Sequence, residues 1–183
     1  MEEEKKTSKP RRSEAFQDLS TLAIVLSVLI LIFVFVARIV IVSGASMEDT
    51  LHNGNAMLVW SLGYKPKQGD IVVLTQTTYQ DDSIVKRVIA TGGQTVDIDY
   101  GTGTVYVDGT ALKEDYIKER MEVPHYGEGL NHITVPEGCI FVMGDNRNHS
   151  ADSRYPAIGI VDERSVIGHV LLVLFPFSAF GTR

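Results

Sequence analysis

The chain has 183 residues, a formal net charge of -6 and a single cysteine. One cysteine excludes an intramolecular disulfide framework and a cysteine-rich metal site, leaving Cys139 as a small, semi-buried apolar side chain. Beyond Val42 there are 18 acidic against 11 basic residues, an acidic balance that argues against nucleic acid as a partner, since phosphate contacts need a positive surface.

The first residues are charged. Glu2, Glu3 and Glu4 precede a basic set, Lys5, Lys6, Lys9, Arg11 and Arg12, and then Glu14 and Asp18. From Leu22 to Ala37 only Ser27 is polar, and "RIVIV" extends the apolar run to Val42. As a helix, Leu22 to Val42 would rise about 31 Å, matching a hydrocarbon core of about 30 Å. Arg38, near the far end, would snorkel into the headgroups. The run exceeds the roughly 7 to 15 apolar residues of a cleaved signal peptide, so a retained transmembrane anchor is expected over residues 19–42. The basic cluster on its N-terminal side predicts a cytoplasmic head, residues 1–18, and an extracytoplasmic domain, residues 43–183.

That domain reads as strands. "AMLVW" (Ala56 to Trp60) and "DIVVLT" (Asp70 to Thr75) flank a Gly/Pro/Lys turn, and "SIVKRVIA" (Ser83 to Ala90) follows. "TVDIDYGTGTVYVDGTAL" supplies two or three ribbon strands with a tight turn at Asp108-Gly109. "ALKEDYIKERM" is expected as a short helix, "CIFVM" as an apolar strand, and "VLLVLFPFSAF" as a core strand or a tail whose aromatics touch a bilayer. The pattern is that of a mostly β domain of long ribbons, without repeats.

Three stretches stand out chemically. Ser46 follows the anchor in a small-residue segment where Gly44 lets the backbone bend closely, as an exposed nucleophile beside oxyanion-binding N–H groups requires. A base must accompany it. The five histidines, His52, His125, His132, His149 and His169, have no triad spacing. Lys86 lies on a strand between Ile84 and Val88 on one face. Either it snorkels to solvent, or burial depresses its pKa and makes it a base. Finally, "GDNRNHSADSR" follows an apolar strand without one large aliphatic side chain. It is either a solvated loop or an internal ion network built from Asp145, Arg147, Asp152 and Arg154, with Ser150 placed to bond an amine.

"SGASMEDTL", "GDIVV", "VKRVIA" and "GDNRNHSADSR" occur in the order seen in bacterial type I signal peptidases, and the chain resembles their short, single-anchor Gram-positive form. The resemblance implies a signal-peptidase-like β domain with a small barrel-like core after one transmembrane helix. It implies a membrane-bound serine endopeptidase with Ser46 as nucleophile and Lys86 as general base. Ser150 would orient the lysine, Asp145, Arg147, Asp152 and Arg154 would support it, and the Ser46 N–H would be one oxyanion donor. Gly44 stands where Gram-negative members carry a serine that supplies the second donor. No metal or cofactor is implied. Partners would be signal peptides of secretory preproteins, the lipid bilayer and the secretion translocon. Asp49 replaces the usual proline of the serine box, and His149 the usual asparagine before Ser150.

Three other expectations remain. An apolar skirt toward the bilayer could include Met47, Leu51, Met57, Leu58 and Trp60, which read equally well as core. A catalytically inactive, membrane-tethered β domain that binds extended peptides is the alternative function. A β-lactamase-like S-x-x-K at Ser83 to Lys86 is disfavoured, because in a strand residues three apart face opposite sides.

Overall fold

The structure, a computed structural model, describes residues 11–75, 83–122 and 131–182. The residues of the basic head before Arg11, the loop containing His125, and most of the glycine-rich segment before Asn131 lie outside the described residues.

Helix α1 runs Arg11–Phe35. Within it, Glu14–Phe35 is long and apolar enough to cross a bilayer, with mean hydropathy 2.6. The hydroxyl of Ser27 donates to the Ala23 carbonyl at 2.8 Å, so the one polar group of the apolar run is satisfied within the helix. The helix stops seven residues before the expected Val42. Ala37–Ile41 forms strand β1 instead, paired with β2 (Ala56–Trp60) in the register Ala37↔Trp60 to Ile41↔Ala56. "RIVIV" is apolar enough for a membrane helix, but its β-branched residues suit a pleated surface, and β2 supplies the partner that decides the outcome.

The chain from Ala37 onward is a second compact unit. Its further strands are β3 (Ile71–Thr75), β4 (Ser83–Thr91), β5 (Thr95–Asp99), β6 (Thr104–Val107), β7 (Thr110–Ala111), β8 (His132–Thr134), β9 (Cys139–Met143), β10 (Val161–Asp162) and β11 (Val166–Phe175). They form a seven-stranded sheet ordered β1-β2-β11-β3-β4-β9-β10 and a four-stranded sheet ordered β7-β6-β5-β8. The barrel-like core implied by the resemblance is not found. Both sheets are open: the outer strands β1 and β10 do not pair with each other, and β10 is only two residues long. The mostly β domain and its single apolar helix stand as expected.

Strand β3 explains where the core sits. Ile71 and Val73 join Met57, Val59, Val170 and Val173 on one face, while Val72 and Leu74 join Val88, Ile140 and Val142 on the other. A strand buried on both faces needs an uninterrupted apolar run, which "IVVL" provides. A third cluster, including Val96, Ile98, Val105, Val107 and Phe141, fills the space against the smaller sheet. Gly168 lies at a register shift between β11 and β3, where a Cβ would stand 2.3 Å from the Trp60 carbonyl oxygen.

Two further expectations change. Residues 112–121 form turns and irregular chain rather than a helix; Glu114 and Tyr116 reach the buried arginines described below, while Lys113 and Asp115 pair with each other in solvent. Of the expected skirt, Met47, Leu51 and Met57 are core residues, whereas Leu58 and Trp60 lie half-buried on the opposite face of β2. Strand β11 is a core strand closed by Pro176, and Phe175, Phe177 and Phe180 are exposed. Cys139 is a free, half-buried thiol.

Candidate active site

The segment after β1 is a tight excursion pinned at its base. Val42 donates its N–H to the Asn55 carbonyl at 2.9 Å, and Gly54 donates back to Val42 at 2.9 Å. Met47 and Leu51 plug into the core one turn apart, with the Leu51 N–H bonded to the Met47 carbonyl at 2.8 Å. Between these anchors Ser46 is held half-buried. Gly44 has φ +97°, a left-handed backbone that favours glycine, and its N–H is taken by Asn53 Oδ1 at 3.1 Å. The Ser46 N–H has no acceptor among the described residues. The Glu48–Asp49 peptide is cis.

Lys86 comes from β4, opposite Val72 of β3. It is 3% exposed, and its Nζ lies 2.8 Å from Ser46 Oγ and 3.0 Å from the Val85 carbonyl oxygen. Burial penalises the ammonium and lowers its pKa from about 10.5 to about 8, outweighing the opposing attraction of Asp152 and Asp145. Neither His52 nor His149 takes this position; both are exposed. Ser83, three residues before Lys86, is exposed at the start of β4, so the S-x-x-K pairing is absent.

The chain after β9 is buried rather than solvated. Asp145, Arg147 and Asp152 are fully buried, and Ser150 and Arg154 nearly so. Their pairs, however, are not confined to the motif. Asp145 accepts two bonds from Arg87, at 2.9 and 2.7 Å, and one from Thr50 Oγ1 at 2.5 Å. Arg147 donates to both oxygens of Glu114, at 3.0 and 2.6 Å. Arg154 forks onto Asp152 at 2.8 and 2.7 Å and reaches the Arg147 carbonyl at 2.8 Å. Burial would raise the Asp152 carboxyl pKa, but the Arg154 hydrogen bonds and charge, with the Gly144 N–H at 3.0 Å, bring it below the ordinary value.

Four participants carried no clear signal by themselves. Tyr116 lies under the Arg87 guanidinium, 4.0 Å from ring centroid to Cζ. Glu114 and Thr50 complete the ion pairs just described. Asn146 clasps the serine loop, donating from its backbone N–H to the Ser46 carbonyl at 3.0 Å and from Nδ2 to the Ala45 carbonyl at 2.9 Å. Ser150 Oγ lies close enough to Asp152 to favour the carboxylate, yet makes no hydrogen bond of normal geometry.

The arrangement is a hydroxyl and a desolvated amine in contact on a wall of buried ion pairs. A family model described as "Signal peptidase, peptidase S26" matches residues 15–175.

The chain belongs to the signal peptidase family. It is similar to a probable signal peptidase I-1 of Synechocystis, 38% identical over 90% of this chain and 85% of the relative. It is also similar to a signal peptidase I of Bacillus licheniformis, 37% identical over 97% of each chain, and to a signal peptidase I T of Bacillus subtilis, 36% identical over 85% of this chain and 84% of the relative. Membership makes it a peptide-hydrolysing enzyme, and its apolar helix makes it a single-pass membrane protein of that family.

Proposed function

We propose that this enzyme removes signal peptides by a Ser46/Lys86 dyad. The carrying observation is the 2.8 Å contact between Ser46 Oγ and the Nζ of a buried lysine. Neutral Lys86 takes the hydroxyl proton as Ser46 Oγ bonds to the scissile carbonyl carbon. The resulting oxyanion is met by the Ser46 N–H, which has no other acceptor. The C–N bond then breaks, Lys86 returns the proton to the leaving amine, and an acyl-enzyme ester remains. Water, deprotonated by Lys86, hydrolyses the ester and restores the Ser46 hydroxyl.

Ser150, whose Oγ is buried without a hydrogen-bond partner and does not bond Lys86 Nζ in this arrangement, would orient the amine only by turning toward it, and Asp145, Arg147, Asp152 and Arg154 would keep the wall rigid. Gly44 contributes backbone shape rather than a second oxyanion donor, because it has no side-chain hydroxyl and its N–H is already bonded to Asn53. Residues 1–18 would be cytoplasmic and the catalytic domain, which begins with β1 at Ala37 rather than at the expected residue 43, extracytoplasmic, where signal peptides emerge from the translocon. Cleavage would follow small residues, as at the ends of secretory signals.

The test is cleavage of a signal-peptide substrate by the full chain in lipid. Ser46→Ala and Lys86→Ala should each lose activity by at least a thousandfold while remaining folded. Substrate binding without cleavage by the wild type would instead support the inactive peptide-binding domain.

A further inference from the structure

We propose that Lys118 is a positioning residue for the Ser46 nucleophile, holding the far end of the turn that carries it against the wall of the site. Ser46 and Met47 are the central residues of a turn closed by the Glu48 N–H, which donates to the Ala45 carbonyl at 3.2 Å. Asn146 grips one side of that turn through the Ala45 and Ser46 carbonyls. Lys118 grips the other end, donating from Nζ to Glu48 Oε2 at 2.8 Å. Its own backbone is fastened to the wall, where its N–H donates to the Asp145 carbonyl at 3.2 Å. These contacts close a ring around the nucleophile: Ala45 to Glu48, Glu48 to Lys118, Lys118 to Asp145, and through the next residue, Asn146, back to Ala45.

The segment that carries Lys118 is held independently of the serine loop. Glu114 pairs with Arg147, the Tyr116 ring faces Arg87, and Met121 is fully buried with its sulfur 3.1 Å from Arg154 Nη1. The Arg120 carbonyl accepts from Asn148 Nδ2 at 3.0 Å, and the Glu122 N–H donates to Asn148 Oδ1 at 3.1 Å. Thr50 Oγ1 approaches the Tyr116 carbonyl at 3.4 Å, so alternate loop residues, Glu48 and Thr50, meet alternate residues of the segment, Lys118 and Tyr116. With both backbones fixed, only the two side chains have to be ordered for the pair to form, which lowers the entropic cost that weakens most surface ion pairs.

The Lys118 and Glu48 side chains are 37% and 26% exposed, so the pair is open to screening and adds little to global stability. The Lys118 hydrogen bond holds the Glu48 carboxyl below its ordinary pKa, which keeps the pair charged at neutral pH. Its consequence is local. Glu48 stands two residues from Ser46, whose hydroxyl must keep its 2.8 Å contact with Lys86, and reaction rates fall steeply when such a geometry loosens. This inference rests on Ser46 as the nucleophile and adds a residue that contacts neither the substrate nor the reacting atoms.

The test is kcat and KM of the full chain in detergent on a signal-peptide substrate. Lys118→Met should lower kcat about fivefold with KM unchanged, the scale of one partly exposed ion pair, while Lys118→Arg should keep most of the rate. Glu48→Ala removes the same pair from the other side and should reproduce the fall, and Lys118→Met in that background should add almost nothing. Raising salt from about 0.1 M to about 1 M should bring the wild-type kcat to within about twofold of the Lys118→Met value, a convergence that a purely structural role would not produce. An unchanged urea midpoint establishes that Lys118→Met is folded. Wild-type kcat in Lys118→Met, a deficit that persists undiminished at high salt or in the Glu48→Ala background, or a rise in KM at constant kcat each overturns the proposal. Ser46→Ala run alongside separates the two claims: activity retained there would remove the nucleophile itself, whereas an inactive Ser46→Ala beside a fully active Lys118→Met would remove only the role of Lys118.

Discussion

Gly144 lies directly beneath Ser150. A Cβ added at Gly144 would stand 2.2 Å from Ser150 Oγ and 2.4 Å from the Ser46 carbonyl oxygen, so the end of β9, the serine loop and the buried motif meet where only a hydrogen fits. Gly144→Ala must therefore displace backbone, since the Ser46 carbonyl cannot rotate away. A shift of about 1 Å in Ser46 is expected to lower kcat roughly a hundredfold. Steady-state cleavage rates check this; wild-type kcat in Gly144→Ala would mean the three segments are not so tightly joined.

Arg87 and Asp145 form a buried bidentate pair, with side chains 8% and 0% exposed. Removing one partner leaves an uncompensated charge, which costs about 3–5 kcal/mol. Arg87→Ala should accordingly unfold at much lower denaturant concentration than the wild type. Arg87→Lys should fall between them, because an ammonium keeps the charge but loses the fork. Urea titration of the detergent-solubilised protein measures both. A midpoint for Arg87→Ala equal to the wild type would show that Asp145 finds another partner.

Asn146 is a positioning residue rather than a reacting one. Its side chain bonds Ala45 and its backbone bonds Ser46. Asn146→Ala removes the first of these and keeps the second, so the loop should loosen without detaching. The expected result is a fall in kcat of about tenfold to a hundredfold with KM nearly unchanged. A rise in KM at constant kcat would instead place Asn146 in substrate binding.

Much of the fold could be read from local pattern. Strands β2 and β9 have the limits expected from their apolar runs, and the turn at Asp108-Gly109 falls between β6 and β7, with both residues at positive φ. The anchor's end could not be read so, because Ile39, Val40 and Ile41 satisfy both a membrane helix and a strand until β2 provides a partner. The open sheets contradict a barrel because strand order is a property of distant pairings that no local run encodes. In the site, Arg87 carried an unused signal: two consecutive cations on a strand cannot both escape burial when its neighbours cover both faces, so Arg87 required a buried acid. Glu114 and Tyr116 carried none, lying 33 and 31 positions from Arg147 in a segment that resembled a helix.

Lys86 also makes stability depend on pH. Its pKa is lowered to about 8 in the folded state, against about 10.5 for the exposed group. Between those values the unfolded chain holds the proton more tightly, so folding stability should rise as pH increases from about 8 to about 10.5. Lys86→Met has no such proton, and its stability profile subtracted from the wild type should isolate the rise. Parallel profiles across that window would contradict a depressed lysine.

The central claim is that a neutral amine takes the proton of Ser46, and titration of the Lys86 side chain by isotope-edited NMR, alongside kcat/KM for a signal-peptide substrate, tests it most directly. Lys86 should titrate near pH 8, with kcat/KM rising about tenfold per pH unit below that point and levelling above it. A Lys86 that stays protonated to about pH 10 while the enzyme works at full rate at neutral pH would contradict the account.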